Sequence, residues 1–213
     1  MSIHWIKSEG GFDSNIFLIV GDMTALIDSG TGLDMDPLIG RIDRCLDGRR
    51  LDYLILTHAH FDHVGGANGI SKRFGCKVLI GEHDLKAVSD ADSSIVLNGL
   101  FNEHIEPIAA TGLKDGQMVD LIGHELKVIH TPGHTKGSIC LYDRMTRSLF
   151  TGDTVFESGV GRTDFPTGSA RELIGSLRDL TGYDIGGMYP GHGECPKNGS
   201  LSVERGLRMM GGI

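Results

Sequence analysis

Short apolar runs alternate with polar turns along the first part of the chain. The runs at 15–20 and 24–28 flank a Gly-Asp turn, a pattern that predicts an antiparallel β-hairpin. Residues 37–47 open with proline and then place an apolar side chain at every fourth position, which is typical of an amphipathic helix. The same periodicities predict a strand at 51–57, a helix at 66–74 and a strand at 76–81.

The second part of the chain has a stronger β pattern, with apolar runs of strand length separated by turn residues. The predicted elements are strands at 117–123, 124–131, 138–143 and 148–153, a helix at 170–180, a strand at 186–191 and a helix near 200–210. Residues 82–117 have no firm period, although short helices fit 82–88 and 93–102. Strand runs followed by helices, twice over, favour two sheets packed together with helices outside. No Pro-rich or Ser-rich linker divides the chain, so we predict a single domain over residues 1–213.

Composition and charge narrow the choice of function. The sequence contains no run of apolar residues long enough to span a membrane, and its first residues lack the basic start and apolar core of a signal peptide. We therefore expect a cytoplasmic protein with no membrane partner. The formal net charge of −8 disfavours nucleic acid as a partner. The four cysteines form no C-x-x-C pair, which indicates buried thiols rather than disulfides or a thiolate metal site.

The most informative segment is THAHFDHVGG at 57–66, which places three histidines and one aspartate within six positions directly after an apolar strand. A histidine-rich polar loop that arose by chance is the alternative, but such a match is expected in about one in a thousand sequences of this composition. Imidazole and carboxylate groups bind metals, and a metal needs at least three or four ligands. Further ligands are therefore expected elsewhere in the chain.

Three later loops share one design, in which an apolar strand stops, a glycine allows a sharp turn and one His or Asp follows. These loops are TPGHTKGS, FTGDTVF and YPGHGE. The candidate ligands in all four loops are five imidazoles and two carboxylates, namely His58, His60, His63, His134, His192, Asp62 and Asp153. Seven donors exceed the needs of one tetrahedral ion, so we predict two divalent metal ions that share a carboxylate and a water. One metal, with the remaining histidines as hydrogen-bonded supports, is the alternative.

Zinc is the expected metal, and iron and manganese also suit imidazole-rich sites with carboxylates. Asp28, in LIDSG, is expected to fix a turn or to support the ligands from outside. The other histidines belong to no motif and are expected to be surface or strand residues; they are His4, His83, His104, His124 and His130.

In this order, THAHFDHVGG, TPGHTKGS, FTGDTVF and YPGHGE resemble the motifs of the metallo-β-lactamase superfamily over about residues 15–195. The resemblance implies an α/β fold, an αββα sandwich of two mixed β-sheets flanked by helices, with the metals at one edge. It also implies a ligand assignment, with one metal on His58, His60 and His134, the other on Asp62, His63 and His192, and Asp153 as the bridge.

Within the superfamily, two features resemble the short bacterial and archaeal glyoxalase II-like hydrolases. One is aspartate rather than cysteine at position 153, and the other is the segment GVGRTDFPTGS at 159–169. The resemblance does not extend to the extra C-terminal helical region with which larger glyoxalase II enzymes bind part of glutathione. The resemblance therefore leaves the thiol half of the substrate open.

These features together predict hydrolysis of a small-molecule acyl thioester, similar to S-2-hydroxyacylglutathione, by a hydroxide that bridges the metals. Metal coordination can lower the pKa of water to near 7, so no protein base is required. A thiolate leaves without help from a protein acid, unlike an amide nitrogen. Asp62 is the predicted catalytic residue, because it can orient the hydroxide as well as bind metal. The alternatives are a lactonase, a mono-iron persulfide dioxygenase that shares GRTDF, and a non-enzymatic metal-binding module.

Arg162 is the predicted substrate-binding residue. It lies nine residues after Asp153 in a glycine-bounded loop, where the larger glyoxalase II enzymes resemble it in placing a basic residue for glutathione. An exposed arginine paired with Asp164 or Glu157 is the alternative.

Overall fold

The computed structural model describes residues 2–7 and 12–212, and its first sheet contains six strands in the order in which they follow along the chain. They are β1 (Ser2–Ile6), β2 (Ile16–Val20), β3 (Thr24–Ile27), β4 (Tyr53–Leu56), β5 (Lys77–Gly81) and β6 (Thr111–Leu113). Strands β1 to β3 pair antiparallel, and β3 to β6 pair parallel. The predicted hairpin is confirmed, with Phe17 of β2 opposite Ile27 of β3.

The remaining strands follow β6 along the chain. They are β7 (Met118–Asp120), β8 (Glu125–His130), β9 (Ile139–Asp143), β10 (Ser148–Gly152), β11 (Val155–Phe156), β12 (Gly159–Val160) and β13 (Met188–Pro190). Five of them form the second sheet, in the order β13-β10-β9-β8-β7. Strand β13 lies parallel to β10, whereas β7 to β10 pair antiparallel. Strands β11 and β12 form a separate small hairpin.

Helices cover the outer faces of both sheets. They are α1 (Met35–Leu46), α2 (Phe61–Val64), α3 (Ala67–Phe74), α4 (Leu85–Ser89), α5 (Ser93–Val96), α6 (Ala170–Leu180) and α7 (Gly199–Met209), with a 3-10 turn at Asn98–Phe101. Ser169 begins α6 by accepting a hydrogen bond from the backbone N–H of Glu172, and a left-handed Gly75 ends α3. None of the helices in the described part of the chain is both long enough and apolar enough to cross a membrane.

Side chains alternate between the two faces of each strand, and the buried residues therefore form three layers of core. In β2, Ile16 and Leu18 point to the helices on the outer face, whereas Phe17 and Ile19 point to the second sheet. In the second sheet, Leu141 likewise faces the first sheet, and its neighbours along β9 face α6 and α7. Each fully buried Leu, Ile or Phe side chain stabilises the fold by about 1.5 to 3 kcal/mol relative to exposure. The predicted αββα sandwich of two mixed sheets is confirmed.

The predicted elements occur in the structure within a few residues of their expected ends. Two features are not predicted from the sequence: β1, whose first four residues are at most half-buried, and the β11–β12 hairpin, whose strands of two residues each are too short to establish a period. The open segment 82–117 contains α4, α5, the 3-10 turn and β6. All four cysteines are free, with Cys76 and Cys140 buried as expected and Cys45 and Cys195 only half-buried.

Candidate metal centre

The predicted ligands lie on four loops that each follow a strand. The loop after β4 and the adjoining α2 provide four of the side chains, and the loops after β8, β10 and β13 provide one each. A hydrogen bond from the backbone N–H of Ile139 to the carbonyl oxygen of Thr57 joins β9 of the second sheet to the loop after β4 of the first. The loops of both sheets therefore meet at the same edge of the sandwich.

Two glycines allow the loops to approach closely. Gly133, at φ 140°, precedes His134, and a Cβ atom there would collide with the backbone of Leu173 in α6. Gly191 precedes His192, and a Cβ atom there would collide with the carboxylate of Asp153. Glycine therefore lets the His134 loop pack against α6 and keeps the His192 loop in contact with Asp153.

The first cluster consists of His58, His60 and His134, which are all buried. The Nδ1 atom of His60 lies 3.2 Å from Nε2 of His58 and 2.8 Å from Nε2 of His134. Two imidazole nitrogens bound to one tetrahedral zinc ion are separated by about 3.3 Å, given Zn–N bonds of about 2.0 Å. These three nitrogens therefore have nearly the spacing of ligands to one metal ion.

The second cluster consists of Asp62, His63 and His192. Nε2 of His192 lies 3.0 Å from Oδ2 of Asp62, and Nε2 of His63 lies 3.7 Å from the same oxygen. The His192 side chain is 38 % exposed, so this cluster opens toward solvent, whereas His63 is fully buried.

Asp153 lies between the two clusters. Its Oδ1 atom is 3.3 Å from Nε2 of His63, and its Oδ2 atom is 3.5 Å from Nε2 of His134 and 3.6 Å from Nε2 of His192. One carboxylate thus reaches histidines of both clusters, which is the arrangement that a bridging ligand requires.

Unsatisfied polar atoms test whether a metal fits. Five buried side-chain atoms of the described residues lack a hydrogen-bond partner, and two of them, Nε2 of His63 and Oδ1 of Asp153, lie 3.3 Å apart. Burying such atoms without partners costs free energy, and a divalent cation between them would satisfy both. The donor set therefore fits metal ions.

Hydrogen bonds on the far side of the rings set the tautomers of two histidines. Nδ1 of His63 donates to Oδ2 of Asp28 at 2.8 Å, and Nδ1 of His134 donates to the carbonyl oxygen of Arg162 at 2.7 Å. A ring that donates from Nδ1 keeps its Nε2 lone pair for a metal. In both residues this Nε2 atom faces the carboxylate of Asp153.

Asp28 supports the site from behind, as the sequence analysis expected. It has a left-handed backbone, at φ 63°, directly after β3. Its carboxylate also accepts hydrogen bonds from the backbone N–H and the hydroxyl group of Thr57, at 2.7 and 2.8 Å. Asp28 therefore joins the end of β3 to the first residue of the ligand loop and orients His63 at the same time.

Asp84 is a supporting residue that the sequence analysis missed. Its Oδ2 atom accepts hydrogen bonds from the backbone N–H of Ala59, at 2.9 Å, and from the hydroxyl group of Thr135, at 2.7 Å. Its Oδ1 atom accepts from the backbone N–H of Gly137 at 2.8 Å. Burial raises the pKa of Asp84, and these hydrogen bonds oppose the increase. The side chain connects the loop of His58 and His60 to the loop of His134.

The position of Asp84 offers a signal that could have identified it. It follows the apolar strand β5 and a glycine, as the ligands of the later loops follow their strands. The remaining histidines contribute no ligand to the three groups of donors found among the described residues. The rings of His83 and His130 make a tilted contact with their centres 4.8 Å apart, and His124 pairs with Asp143 at 3.0 Å.

Burial and mutual repulsion favour neutral imidazoles in the first cluster. Burial, with repulsion from the neighbouring imidazoles, lowers the pKa of His58 well below its ordinary value. Burial and repulsion, chiefly from His134, lower the pKa of His60 to about 3. Neutral imidazoles keep the lone pairs that a metal needs.

Carboxylates reverse this effect in the second cluster. Burial alone would lower the pKa of His63, but the negative charges of Asp28, Asp153 and Asp62 raise it well above its ordinary value. The pKa of His192 is raised as well. Burial would lower it, but the hydrogen bond to Asp62 and the charge of Asp153 outweigh that effect. The pKa values of Asp62 and Asp153 are in turn lowered by these histidines against the effect of burial. In the metal-free protein, protons on His63 and His192 thus supply the positive charge that a divalent cation would supply.

Arg162 lies at the cleft in front of the metal-binding side chains. Its guanidinium group donates to both carboxylate oxygens of Asp164, at 2.7 and 2.6 Å, and lies 3.8 Å from the ring centre of Phe165. The ion pair with Asp164 corresponds to the alternative to substrate binding that the sequence allows for Arg162. Because both side chains are more than half exposed, the pair is accessible to a ligand, and substrate binding by Arg162 stays a prediction.

Comparisons with known proteins agree with this geometry. A probable metallo-hydrolase of Methanocaldococcus jannaschii is 35 % identical over 193 residues, which cover 86 % of this chain and 89 % of the relative. The hydroxyacylglutathione hydrolase GloC of Haemophilus influenzae is 35 % identical over 170 residues, which cover 78 % of each protein. A solved structure described as TTHA1623 in a di-iron-bound form is 28 % identical, with a TM-score of 0.77 over 92 % of this chain and 96 % of that one.

The match extends to a family model. The model described as the metallo-β-lactamase superfamily matches residues 10–192, which include all seven predicted ligands. The order of the loops, the packing of the two sheets and the matched length agree, and the chain therefore belongs to the metallo-β-lactamase superfamily.

Proposed function

We propose that this protein is a dinuclear metal-dependent hydrolase that cleaves an acyl thioester similar to S-2-hydroxyacylglutathione. The observation that carries the proposal is the position of Asp153, whose two carboxylate oxygens face histidines of both clusters. In the proposed site, His58, His60 and His134 hold one ion, and Asp62, His63 and His192 hold the other. Zinc is the proposed metal, and iron and manganese suit the same imidazole and carboxylate donors.

Bound divalent ions would lower the pKa of water to about 7 and would polarise the carbonyl group of the substrate. The side chains of the protein would position the attacking water and place negative charge beside it. Asp62 lies on the half-exposed side of the site, beside His192, and its lowered pKa keeps it ionised at neutral pH. We propose that this carboxylate orients the attacking water toward the carbonyl carbon.

The lining of the cleft favours a substrate with a good leaving group. The titratable side chains among the described lining residues are Arg162 and five members of the proposed ligand set, namely His60, Asp62, His134, Asp153 and His192. Outside that ligand set, no described carboxyl or imidazole group lines the cleft to protonate a leaving group. A thiolate departs without protonation, because the pKa of a thiol is about 8.5, whereas an amide nitrogen needs an acid. This difference supports a thioester over an amide.

The relatives support the same chemistry. GloC, at 35 % identity, is a hydroxyacylglutathione hydrolase by name, and TTHA1623 is described with two iron ions. These names are consistent with a thioester substrate and a dinuclear site.

A substrate panel with metal analysis tests the proposal. The protein is purified without added metal and then analysed for metal content at saturating zinc, iron or manganese. Hydrolysis of S-lactoylglutathione is compared with hydrolysis of acyl homoserine lactones and with oxygen consumption in the presence of glutathione persulfide. We expect two ions per chain and the highest kcat/KM on the thioester. One ion per chain, with oxygen consumption, would instead indicate a persulfide dioxygenase, and higher rates on lactones would indicate a lactonase.

A further inference from the structure

The outer part of the cleft is apolar. Beyond the proposed metal ligands, its lining consists mainly of hydrophobic side chains, namely Leu97, Leu100, Phe101, Phe156, Val160 and Phe165. Leu100 is 68 % exposed, and the neighbouring Phe12, 76 % exposed, makes an edge contact with Phe101 at 6.4 Å. Exposed apolar side chains that cluster beside a cleft are characteristic of a ligand-binding surface.

Part of this surface is fixed to the metal centre. The ring of Phe101 packs against the ring of Phe61 at 5.2 Å, and Phe61 directly follows His60 in the chain. The buried side chain of Asn98 donates to the carbonyl oxygen of Glu103 at 2.6 Å, which holds the 3-10 turn closed. Leu97, Leu100 and Phe101 are therefore held on a defined turn beside the ligands, and we call these three residues the apolar wall.

The size and charge of the cleft restrict what can lie on the apolar wall. The cleft has a volume of about 430 Å³, toward the lower end of the roughly 300 to 1,000 Å³ of small-ligand sites. Arg162 is the one permanently charged cation among the described residues that line it. Arg162 belongs to the segment after β12, which also contains Phe165, whereas the apolar wall follows α5. The cleft thus offers one segment with a cation, which is paired with Asp164, and another segment without charge.

A thioester has two halves that could match these two segments. A thiol such as glutathione carries carboxylates, which suit the segment with Arg162. The acyl half is then left for the uncharged segment. We infer that the apolar wall is a subsite for an uncharged, apolar acyl chain, so that, among thioesters of the same thiol, the enzyme prefers longer alkyl chains to acyl groups as short as acetyl or lactoyl. This inference rests on the proposed function.

The preference can be estimated from burial of the chain. A fully buried methylene group improves binding by up to about fourfold, and a chain covered on one side gains about half of that free energy, or about twofold per methylene. Between an acetyl and a hexanoyl group, kcat/KM should therefore rise on the order of tenfold.

The first experiment varies the acyl half alone. The metal-loaded protein is assayed with acetyl, butanoyl, hexanoyl and lactoyl thioesters of N-acetylcysteamine, a thiol without charge. We expect kcat/KM to increase from acetyl to hexanoyl and the lactoyl thioester to resemble the acetyl thioester. A flat series, or a lactoyl thioester better than the hexanoyl thioester, would overturn the inference.

Variants then locate the preference on the wall. Leu100→Asp places a charge on an exposed position, so the fold should persist, and the ratio of kcat/KM for hexanoyl to that for acetyl should fall to about one. Leu100→Met should retain the ratio. Met145→Asp is the matched control, because Met145 is 73 % exposed and does not line this cleft. An unchanged ratio in Leu100→Asp, or an equal fall in Met145→Asp, would exclude the wall as the cause.

A binding measurement separates this inference from the proposed function. Isothermal titration calorimetry with ketone analogues, in which a methylene group replaces the thioester sulfur, measures affinity without hydrolysis. We expect the hexanoyl analogue to bind on the order of tenfold more tightly than the acetyl analogue. This result without hydrolysis of any thioester would retain the subsite and refute the proposed function. Equal affinities would refute the subsite even if thioesters are cleaved.

Discussion

Nδ1 of His63 donates a hydrogen bond of 2.8 Å to Oδ2 of Asp28, so that Nε2 of the same ring faces the carboxylates of Asp62 and Asp153. The Asp28 carboxylate also accepts two hydrogen bonds from Thr57, the first residue of the ligand loop. One buried side chain therefore sets both the tautomer of a proposed ligand and the position of the loop that contains it.

The variant Asp28→Asn should weaken metal binding by about ten- to a hundredfold, chiefly at the cluster that contains His63. Asparagine preserves the shape but removes the negative charge that holds the His63 proton on Nδ1. Chelator competition against the wild-type protein measures the change. Asp22→Asn is the matched control, because Asp22 is exposed and lies in the turn before β3. Wild-type affinity in Asp28→Asn would contradict this role.

The variant Asp153→Ala should lose metal from both clusters and nearly all hydrolytic activity, because the carboxylate lies within 3.6 Å of histidines in each cluster. Metal content per chain and kcat on a thioester measure the two effects. Asp179→Ala, at an exposed position of α6, should change neither. Loss of only one ion from Asp153→Ala would assign the carboxylate to a single cluster.

The variant Asp84→Asn should destabilise the protein and loosen both ligand loops. The carboxylate accepts three hydrogen bonds, whereas the amide group turns a donor toward at least one of those N–H or O–H groups. We expect the free energy of unfolding to fall by about 1 to 3 kcal/mol, as measured by denaturant titration, together with weaker binding at the first cluster. Asp90→Asn, at an exposed position beyond α4, is the control. Unchanged stability and metal affinity would show that Asp84 does not position the loops.

The metal-free protein should lose stability as the pH rises from about 6.5 to 8. The pKa of His63 is raised in the folded state by Asp28, Asp153 and Asp62 against the effect of burial, so its contribution is fully present below the unfolded value of about 6.5. That contribution disappears as the pH rises through the folded value. His58 and His60 have lowered pKa values and are neutral in the folded state; their unfolded forms lose their protons by about pH 7.5, so the opposing contribution of these two residues fades within the window.

Thermal unfolding with a chelator present measures this pH dependence, and saturating metal is the control. Metal-loaded protein should not show the decline, because a cation replaces the protons on the ligands. The window ends at pH 8 because the pKa values of Cys76 and Cys140 are raised by burial to about 11, and unfolded thiols begin to ionise above that pH. A Tm of the metal-free protein that rises between pH 6.5 and 8 would contradict the role of His63.

Arg162 and Asp164 offer a paired test of anion binding. If Arg162 binds a carboxylate of the thiol half, Arg162→Ala should raise KM for S-lactoylglutathione by about ten- to a hundredfold with little change in kcat or metal content. Asp164→Asn removes the competing carboxylate at 2.6 Å and should lower the same KM. The N-acetylcysteamine thioester is the control substrate, because it has no carboxylate to bind. Equal changes on both substrates would assign Arg162 to local structure.

The elements and the ligand loops could be predicted from the sequence because the information is local. Apolar periodicity marks β2, β4 and α6, and a glycine followed by His or Asp marks the end of a strand. The very short strands β11 and β12 lie below the length at which a period can be recognised. Strand β6 contains only one apolar residue, Leu113, so it shows no period either.

The sequence by itself determined which residue types could bind metal and in which order their loops occur. Only the tertiary structure decided how these side chains combine, because residues as distant as His60 and His134 approach each other only when the two sheets pack. The same packing assigned Asp28 and Asp84 their roles, since a hydrogen bond to a ligand or to its loop depends on distance in space. It also placed the apolar wall beside the cleft, because the contact of Phe101 with Phe61 joins a segment without any clear period to the centre of the site.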